Sequence, residues 1–251
     1  MINLLEQSEQ ATEDKPIRWY AFQTCFNCTG IFLAFINDAD SSGCLTAASD
    51  VEIIGSWVSG TSHTEESGTD RLLVFTAHVE DDDTDMNATS VTYGGQSMTE
   101  VIEDNVGTGY RAYTGLFVLD EAGINAASGS SFVVTWAENP NRTPAFTSVF
   151  MQNVNQTSPV GASDSNGGTT ATISTNALST NDGDMVVLTA TCGNTGTYSV
   201  NNGFTEAIEL SMTSADGVAG YKAATGANET PSVTHSDIIR QVIAALVVQA
   251  Q

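Results

Sequence analysis

Basic residues are scarce in this sequence. Seven lysines and arginines stand against thirty aspartates and glutamates in 251 residues, which gives a formal net charge of −23 at pH 7. Nucleic acids, anionic membranes and phosphate-rich ligands would repel such a chain, so we expect none of them as partners. The same charge keeps copies apart, and any assembly therefore needs apolar contacts, backbone contacts or bridging cations.

Long apolar runs are also missing. The stretch from Ile31 to Ile36 is too short to cross a bilayer. Four carboxylates fall within the first fourteen residues, where a secretion signal would be basic. We therefore expect that the chain does not insert into a membrane and that it assembles in a host cytoplasm. An atypical signal or anchor in residues 17–36, and with it an extracellular or cell-surface location, is the alternative.

Residues suited to catalysis are few. His63, His78 and His235 are the only histidines, and none has the spacing of a paired metal site. His78 alternates with Thr76 and Glu80, which predicts that it lies on a polar strand face. No Gly-x-Ser-x-Gly elbow occurs, although a Ser-His-Asp triad assembled only in space stays open. The sequence therefore favours a protein that is not an enzyme.

Four cysteines form an ambiguous set. Cys25 and Cys28 have the spacing of a zinc or redox pair, but Cys44 and Cys192 do not supply a second close pair. No βαβ pattern supports a redox motif. Structural thiols without metal are the favoured interpretation, and a disulfide that fastens the N-terminal region or a metal site are the alternatives.

Short β-branched segments separated by Gly, Asn, Asp and Pro dominate the chain from residue 50 onward. Gly94-Gly95 predicts a tight hairpin, and Asn201-Asn202-Gly203 suits positive φ angles. Twelve such segments exceed what one open sheet normally holds, so we predict an all-β fold of two packed sheets, a jelly-roll-like sandwich. The predicted strands are 51–59, 71–79, 90–93, 97–102, 113–119, 131–136, 147–153, 170–174, 184–190, 205–212, 218–223 and 241–249.

Residues 1–49 precede this sandwich, which we place at 50–251, and we predict that they form an extended or partly helical arm. The arm is rich in apolar side chains without a clear role in the sandwich, and we expect them to pack on a neighbouring subunit. These assembly residues are Ile17, Trp19, Tyr20, Phe22, Phe26, Ile31, Phe32, Leu33 and Phe35.

An acidic run at residues 80–85 is a candidate calcium site. Calcium prefers several carboxylate oxygens within one loop, and Asp81, Asp82, Asp83 and Asp85 would supply them. The run lacks the turn glycine and final glutamate of an EF-hand loop. A solvated acidic loop is the simpler interpretation, with calcium as the alternative, and no other cofactor is expected.

Several segments together resemble a β-sandwich module of bacterial secreted and surface proteins and of tailed-phage virion proteins. The resemblance depends on three segments, residues 69–74 (TDRLLV), 91–99 (VTYGGQSMT) and 154–161 (VNQTSPVG), followed by 183–187 and 242–247. It covers about residues 50 to 250. It implies a display or adhesion role without catalytic residues.

Three classes of function follow. The favoured one is a structural protein of a tailed-phage virion, in capsid decoration, a head fibre or the tail surface, that contacts copies of itself and other particle subunits. The second is a filament subunit or adhesin assembled by strand addition. The third is a carbohydrate-binding module for a host-surface glycan, for which Trp19, Trp57 and Trp136 are the few large platforms, although core positions suit them better.

Overall fold

A computed structural model describes residues 49–82 and 86–251 of the chain. Residues 1–48 of the predicted arm lie outside the described residues, and with them the nine apolar assembly residues, Trp19 among them, and the first three cysteines. Asp83 and Asp85 lie outside the described residues as well. The described residues form antiparallel sheets almost throughout. The prediction of an all-β sandwich is confirmed.

Sixteen strands and one short helix make up the described residues. The strands of the first half are β1 (Glu52–Ser59), β2 (Leu72–Asp81), β3 (Ala88–Tyr93), β4 (Gln96–Ser97), β5 (Thr99–Val106), β6 (Arg111–Asp120), β7 (Phe132–Trp136) and β8 (Ala145–Gln152), with helix α1 (Glu121–Ala126) after β6. Those of the second half are β9 (Val160–Gly168), β10 (Thr172–Ser174), β11 (Asp182–Cys192), β12 (Tyr198–Val200), β13 (Thr205–Ser211), β14 (Asp216–Thr225), β15 (Ser232–His235) and β16 (Gln241–Val248).

Two five-stranded sheets pack face to face at the centre. The first inner sheet has the order β1-β8-β2-β6-β5, and the second inner sheet has the order β13-β14-β11-β16-β9. Each carries a three-stranded sheet on its other face, β4-β3-β7 on the first and β10-β15-β12 on the second. The sandwich therefore contains three apolar layers rather than one.

The alternation of side chains along each inner strand explains these layers. In β2, Leu72 and Val74 point into the core between the inner sheets, whereas Leu73 and Phe75 point toward the first outer sheet. All four are fully buried. A strand buried on both faces reads as a continuous apolar run, as LLVF does here.

The predicted turns form as expected. Gly94 and Gly95 have φ angles of 53° and 85° at the β3–β4 hairpin. A side chain at Gly94 would meet the backbone oxygen of Gly129 at 2.5 Å, so only glycine fits this close approach. In the turn before β9, the Asn155 side chain accepts hydrogen bonds from the amides of Thr157 and Ser158.

The two halves of the chain repeat one topology. Reading each inner sheet from its first strand gives β1-β8-β2-β6-β5 and β9-β16-β11-β14-β13, which correspond strand by strand. The outer pairs β3–β7 and β12–β15 correspond as well. We call residues 51–152 the first module, residues 160–248 the second module and residues 153–159 the linker.

The two modules also share a β-bulge at the same place and a short matching sequence. The β5–β6 ladder is bulged between Glu100 and Ile102, and the β13–β14 ladder is bulged between Glu206 and Ile208. These bulges lie in the matching sequences TEVIE, from Thr99, and TEAIE, from Thr205. Since bulges are specific features of a sheet, their coincidence supports a duplicated module.

Candidate functional site

A buried polar cluster lies between the inner sheets, at the centre of the sandwich. The His78 Nε2 atom lies 2.8 Å from the Thr76 hydroxyl and 3.2 Å from the Thr189 hydroxyl, and His78 Nδ1 lies 3.0 Å from the Thr191 hydroxyl. His78 is completely buried. His78 lies on a polar strand face with Thr76, as the alternation predicts, and this face packs against the second inner sheet.

Burial decides the chemistry of this imidazole. Desolvation lowers the pKa of His78 to about 3, so the ring is neutral at physiological pH. Its threonine partners are equally inaccessible, with no exposed surface on Thr76, Thr189 or Thr191. The cluster can order the interior through hydrogen bonds, but no substrate can reach it without separating the sheets.

A Ser–His pair lies in the core between the first inner and first outer sheets. His63 Nδ1 is 2.8 Å from the Ser148 hydroxyl, and the Tyr93 hydroxyl donates to the His63 carbonyl. Ser148 is fully buried, and burial lowers the pKa of His63 against the opposing field of Glu66. The arrangement resembles part of a triad in residue type only, because a buried serine cannot attack a substrate.

The third histidine lies in the core between the second inner and second outer sheets. His235 Nε2 is 3.7 Å from an oxygen of Asp216, and its Nδ1 accepts the amide of Asp237. The ring packs edge-on against Tyr198. Cys192 is buried in the same layer, and burial raises the pKa of its thiol to about 12, so it is protonated and unreactive at neutral pH.

The acidic run begins with two carboxylates that bind protein groups. Glu80 is buried and pairs with Arg142 and Arg240, and the Ser214 hydroxyl donates to it at 2.9 Å. Both guanidinium groups lie over the ring of Tyr110. We call Glu80, Arg142, Arg240, Tyr110 and Ser214 the arginine clasp.

The Asp81 carboxylate also binds protein groups, because its oxygens accept hydrogen bonds from the backbone amides of Asp82 and Arg142 at 2.7 and 3.0 Å. Asp82 is exposed. Within residues 49–82 and 86–251, no group of three or more His, Cys, Asp or Glu side chains is arranged to hold a metal ion. Since Asp83 and Asp85 are outside the described residues, calcium binding by this loop stays a prediction.

One surface groove, of about 480 Å³, lies beside the start of the edge strand β5. Both apolar residues and the carboxylate residues Glu100 and Asp120 line it. Its lining residues include Leu72, Val101, Val118, Leu119, Pro159 and Val160. The groove could hold a small apolar group next to a hydrogen-bond donor or a cation, but its lining provides no nucleophile paired with a base.

The tryptophans of the described residues serve packing. Trp57 stacks on Tyr221 with ring centroids 6.5 Å apart, and Trp136 packs edge-on against Tyr113 at 5.3 Å. Both indoles are partly buried against apolar clusters. The core positions favoured by the sequence agree with these contacts, in which each indole packs on a tyrosine ring.

Comparison of the chain with protein-family models, curated proteins and solved structures gives no match in any of the three. Among the described residues, no helix is both long and apolar enough to cross a membrane. Functional inference therefore depends on the sites above and on the surface of the sandwich.

Proposed function

We propose that the chain is a non-enzymatic structural subunit of a tailed-phage virion. It docks through residues 1–49 on a neighbouring subunit and displays the acidic sandwich at the particle surface, as capsid decoration, a head fibre or part of the tail. Copies of the chain and other particle subunits are its partners.

The proposal is supported above all by the burial of the reactive side chains of the sandwich. His63, His78 and His235 are each at most 3% exposed, and all three are held in packed cores. Cys192 is buried as a protonated thiol. Because these histidines and this thiol are buried in packed cores, the sandwich is better suited to a structural role than to catalysis.

The charge distribution supports display at a surface. Of the five basic residues in the described part of the chain, Arg71, Arg142, Arg240 and Lys222 form ion pairs within the sandwich. The surface is left predominantly acidic. An acidic exterior keeps densely presented subunits soluble and prevents non-specific contact between them, which leaves the arm to provide attachment.

Deleting residues 1–45 tests the docking role of the arm. We expect the truncated protein to keep the far-UV circular dichroism and the unfolding midpoint of the sandwich, because the first strand of the sandwich begins at Glu52. It should sediment as a monomer, whereas the full chain forms larger species. Sedimentation velocity of both proteins at matched concentration and salt measures this difference.

A full-length variant with Trp19→Ser, Phe22→Ser and Phe32→Ser is the matched control for chain length. It should also lose assembly, because it removes apolar surface while keeping the arm. If the truncated protein assembles as the full chain does, the arm is not the anchor and the proposed mode of docking is wrong.

A further inference from the structure

Little backbone pairing joins the two modules, although they form one sandwich. Every strand ladder of the described residues pairs strands within one module. An isolated bridge between Val154 and Ala250 joins the linker to the end of the second module. Side-chain packing between the inner sheets therefore provides most of the contact between the modules.

That packing has the character of an obligate protein interface. Aliphatic side chains and methionines face each other near the start of β2 and β11, and each of the side chains named next is at most 5% exposed. From the first module they are Leu72, Val74, Leu116, Val118, Val149 and Met151, and from the second they are Met185, Val187, Ala244, Leu246 and Val248. A surface of this composition is not stable in water and needs a complementary apolar face.

Matching positions of the two modules meet at the centre of this interface. Val74 pairs through Val118 with Thr99, and Val187 pairs through Tyr221 with Thr205, so the matching sequences TEVIE and TEAIE fix the alignment of β2 with β11. Val74-Phe75-Thr76-Ala77 therefore corresponds to Val187-Leu188-Thr189-Ala190. In this alignment His78 corresponds to Thr191, and these two side chains touch each other at 3.0 Å. Contact between equivalent residues is the property of an isologous, two-fold interface.

We infer that the chain is a fused pair of modules, and that the inner face of each module is an interaction surface whose partner is the other module. The two modules stay associated through these faces even when the linker is cut. The arginine clasp adds one polar contact across this interface, since Glu80 belongs to the first module and Arg240 and Ser214 to the second. This inference concerns the sandwich alone and does not depend on the proposed virion role.

His78 makes the interface selective. A pair of two first modules would place a second fully buried imidazole where His78 now meets the Thr191 hydroxyl, and the His78 Nδ1 atom would lose that partner. Buried polar groups that lose their partners are costly, so cross-pairing of first with second module is favoured over self-pairing. Substitution of His78 by threonine would make the two faces alike at this position.

A cleavable full-length chain tests the inference. A protease recognition sequence is inserted between Thr157 and Ser158, which are exposed in the linker, and the protein is cut to completion under native conditions. We expect the two fragments to elute together from a size-exclusion column, as one species with the mass of the uncut chain. Fragments that separate or precipitate on cutting would overturn the inference, because the linker would then be essential.

The preference of each fragment for the unlike fragment is measured on the same cut protein after unfolding in urea and refolding by dilution. Native mass spectrometry should show pairs of unlike fragments, and the His78→Thr protein should also show pairs of like fragments. His235→Thr, which changes a buried histidine away from the interface, is the control and should keep unlike pairs alone. Unlike pairs alone in the His78→Thr protein would overturn the role given to His78.

Discussion

Lowering the pH from 7.5 to 5 should reduce the free energy of unfolding by about 2 kcal/mol through His78 alone. The pKa of this group is about 3 in the folded protein and near its ordinary value of 6.5 in the unfolded chain. Between these values the unfolded chain binds a proton that the folded protein does not, so stability rises with pH in this window. Urea unfolding at half-unit steps from pH 5 to pH 7.5 measures the slope.

The matched variant is His78→Gln, which keeps hydrogen-bonding groups but does not titrate. Its stability at pH 7.5 will differ from that of the parent, but the slope attributed to His78 should be missing. His63 has a lowered pKa for the same reason and contributes a slope of the same sign in both proteins. Restricting the comparison to pH 5 and above avoids most of the titration of carboxylates. Equal slopes in the two proteins would show that His78 titrates normally in the fold.

Replacing Arg71 by methionine should cost about 2–3 kcal/mol of stability, because it removes charge-assisted hydrogen bonds to carboxylates that are themselves partly exposed. The Arg71 side chain is 6% exposed and makes a two-pronged contact with Glu121, together with bonds to Glu65 and Asn125. It ties the start of β2 to helix α1. Without it, the partly buried Glu121 carboxylate loses its main partner.

Arg111→Met is the control for this substitution. Arg111 is half-buried and bonds the side chain of Asn105, with no ion pair among those found in the described residues. Its loss should change stability by less than about 1 kcal/mol, as is usual for a partly exposed side chain outside a buried network. Thermal and urea unfolding of both variants at pH 7.5 provide the comparison. Similar losses for Arg71→Met and Arg111→Met would refute the structural role of the Arg71 network.

Much of the fold was predictable from local pattern. The apolar segments that became β2, β6, β8, β11 and β16 are buried on both faces, so each reads as a run of β-branched and aromatic residues bounded by turn residues. The hairpin at Gly94-Gly95 and the turn at Asn155 follow from backbone requirements that few other residues meet.

The strands that the sequence did not predict lack such a pattern. β9 consists largely of Gly, Ser, Asn and Asp, and it is a strand because the apolar β16 offers a backbone partner along most of its length. β12 and β15 have three and four residues, which is too short for an alternation to be recognised. Helix α1 has six residues and was missed, although Asp120 caps it through the amide of Gly123.

The duplication also escaped prediction, although a signal was present. TEVIE at Thr99 and TEAIE at Thr205, together with the matching strands before them, would have indicated two related halves. The signal is faint because the equivalent strands differ in most of their side chains, as His78 and Thr191 do. Contacts between distant segments, such as Ser148 with His63 and Glu80 with Arg240, leave no local pattern in the sequence at all.

The most direct measurement of the proposed function is the protein composition of purified particles. Under the proposed function a tailed phage encodes the chain, and its particles would be purified on a density gradient and analysed by quantitative mass spectrometry beside the soluble fraction of the lysed host. We expect the chain to be an integral component of the particle, in a fixed ratio to the major capsid or tail subunit. A virus encoding the chain without residues 1–45 should leave it in the soluble fraction. Absence of the intact chain from the purified particles would contradict the account.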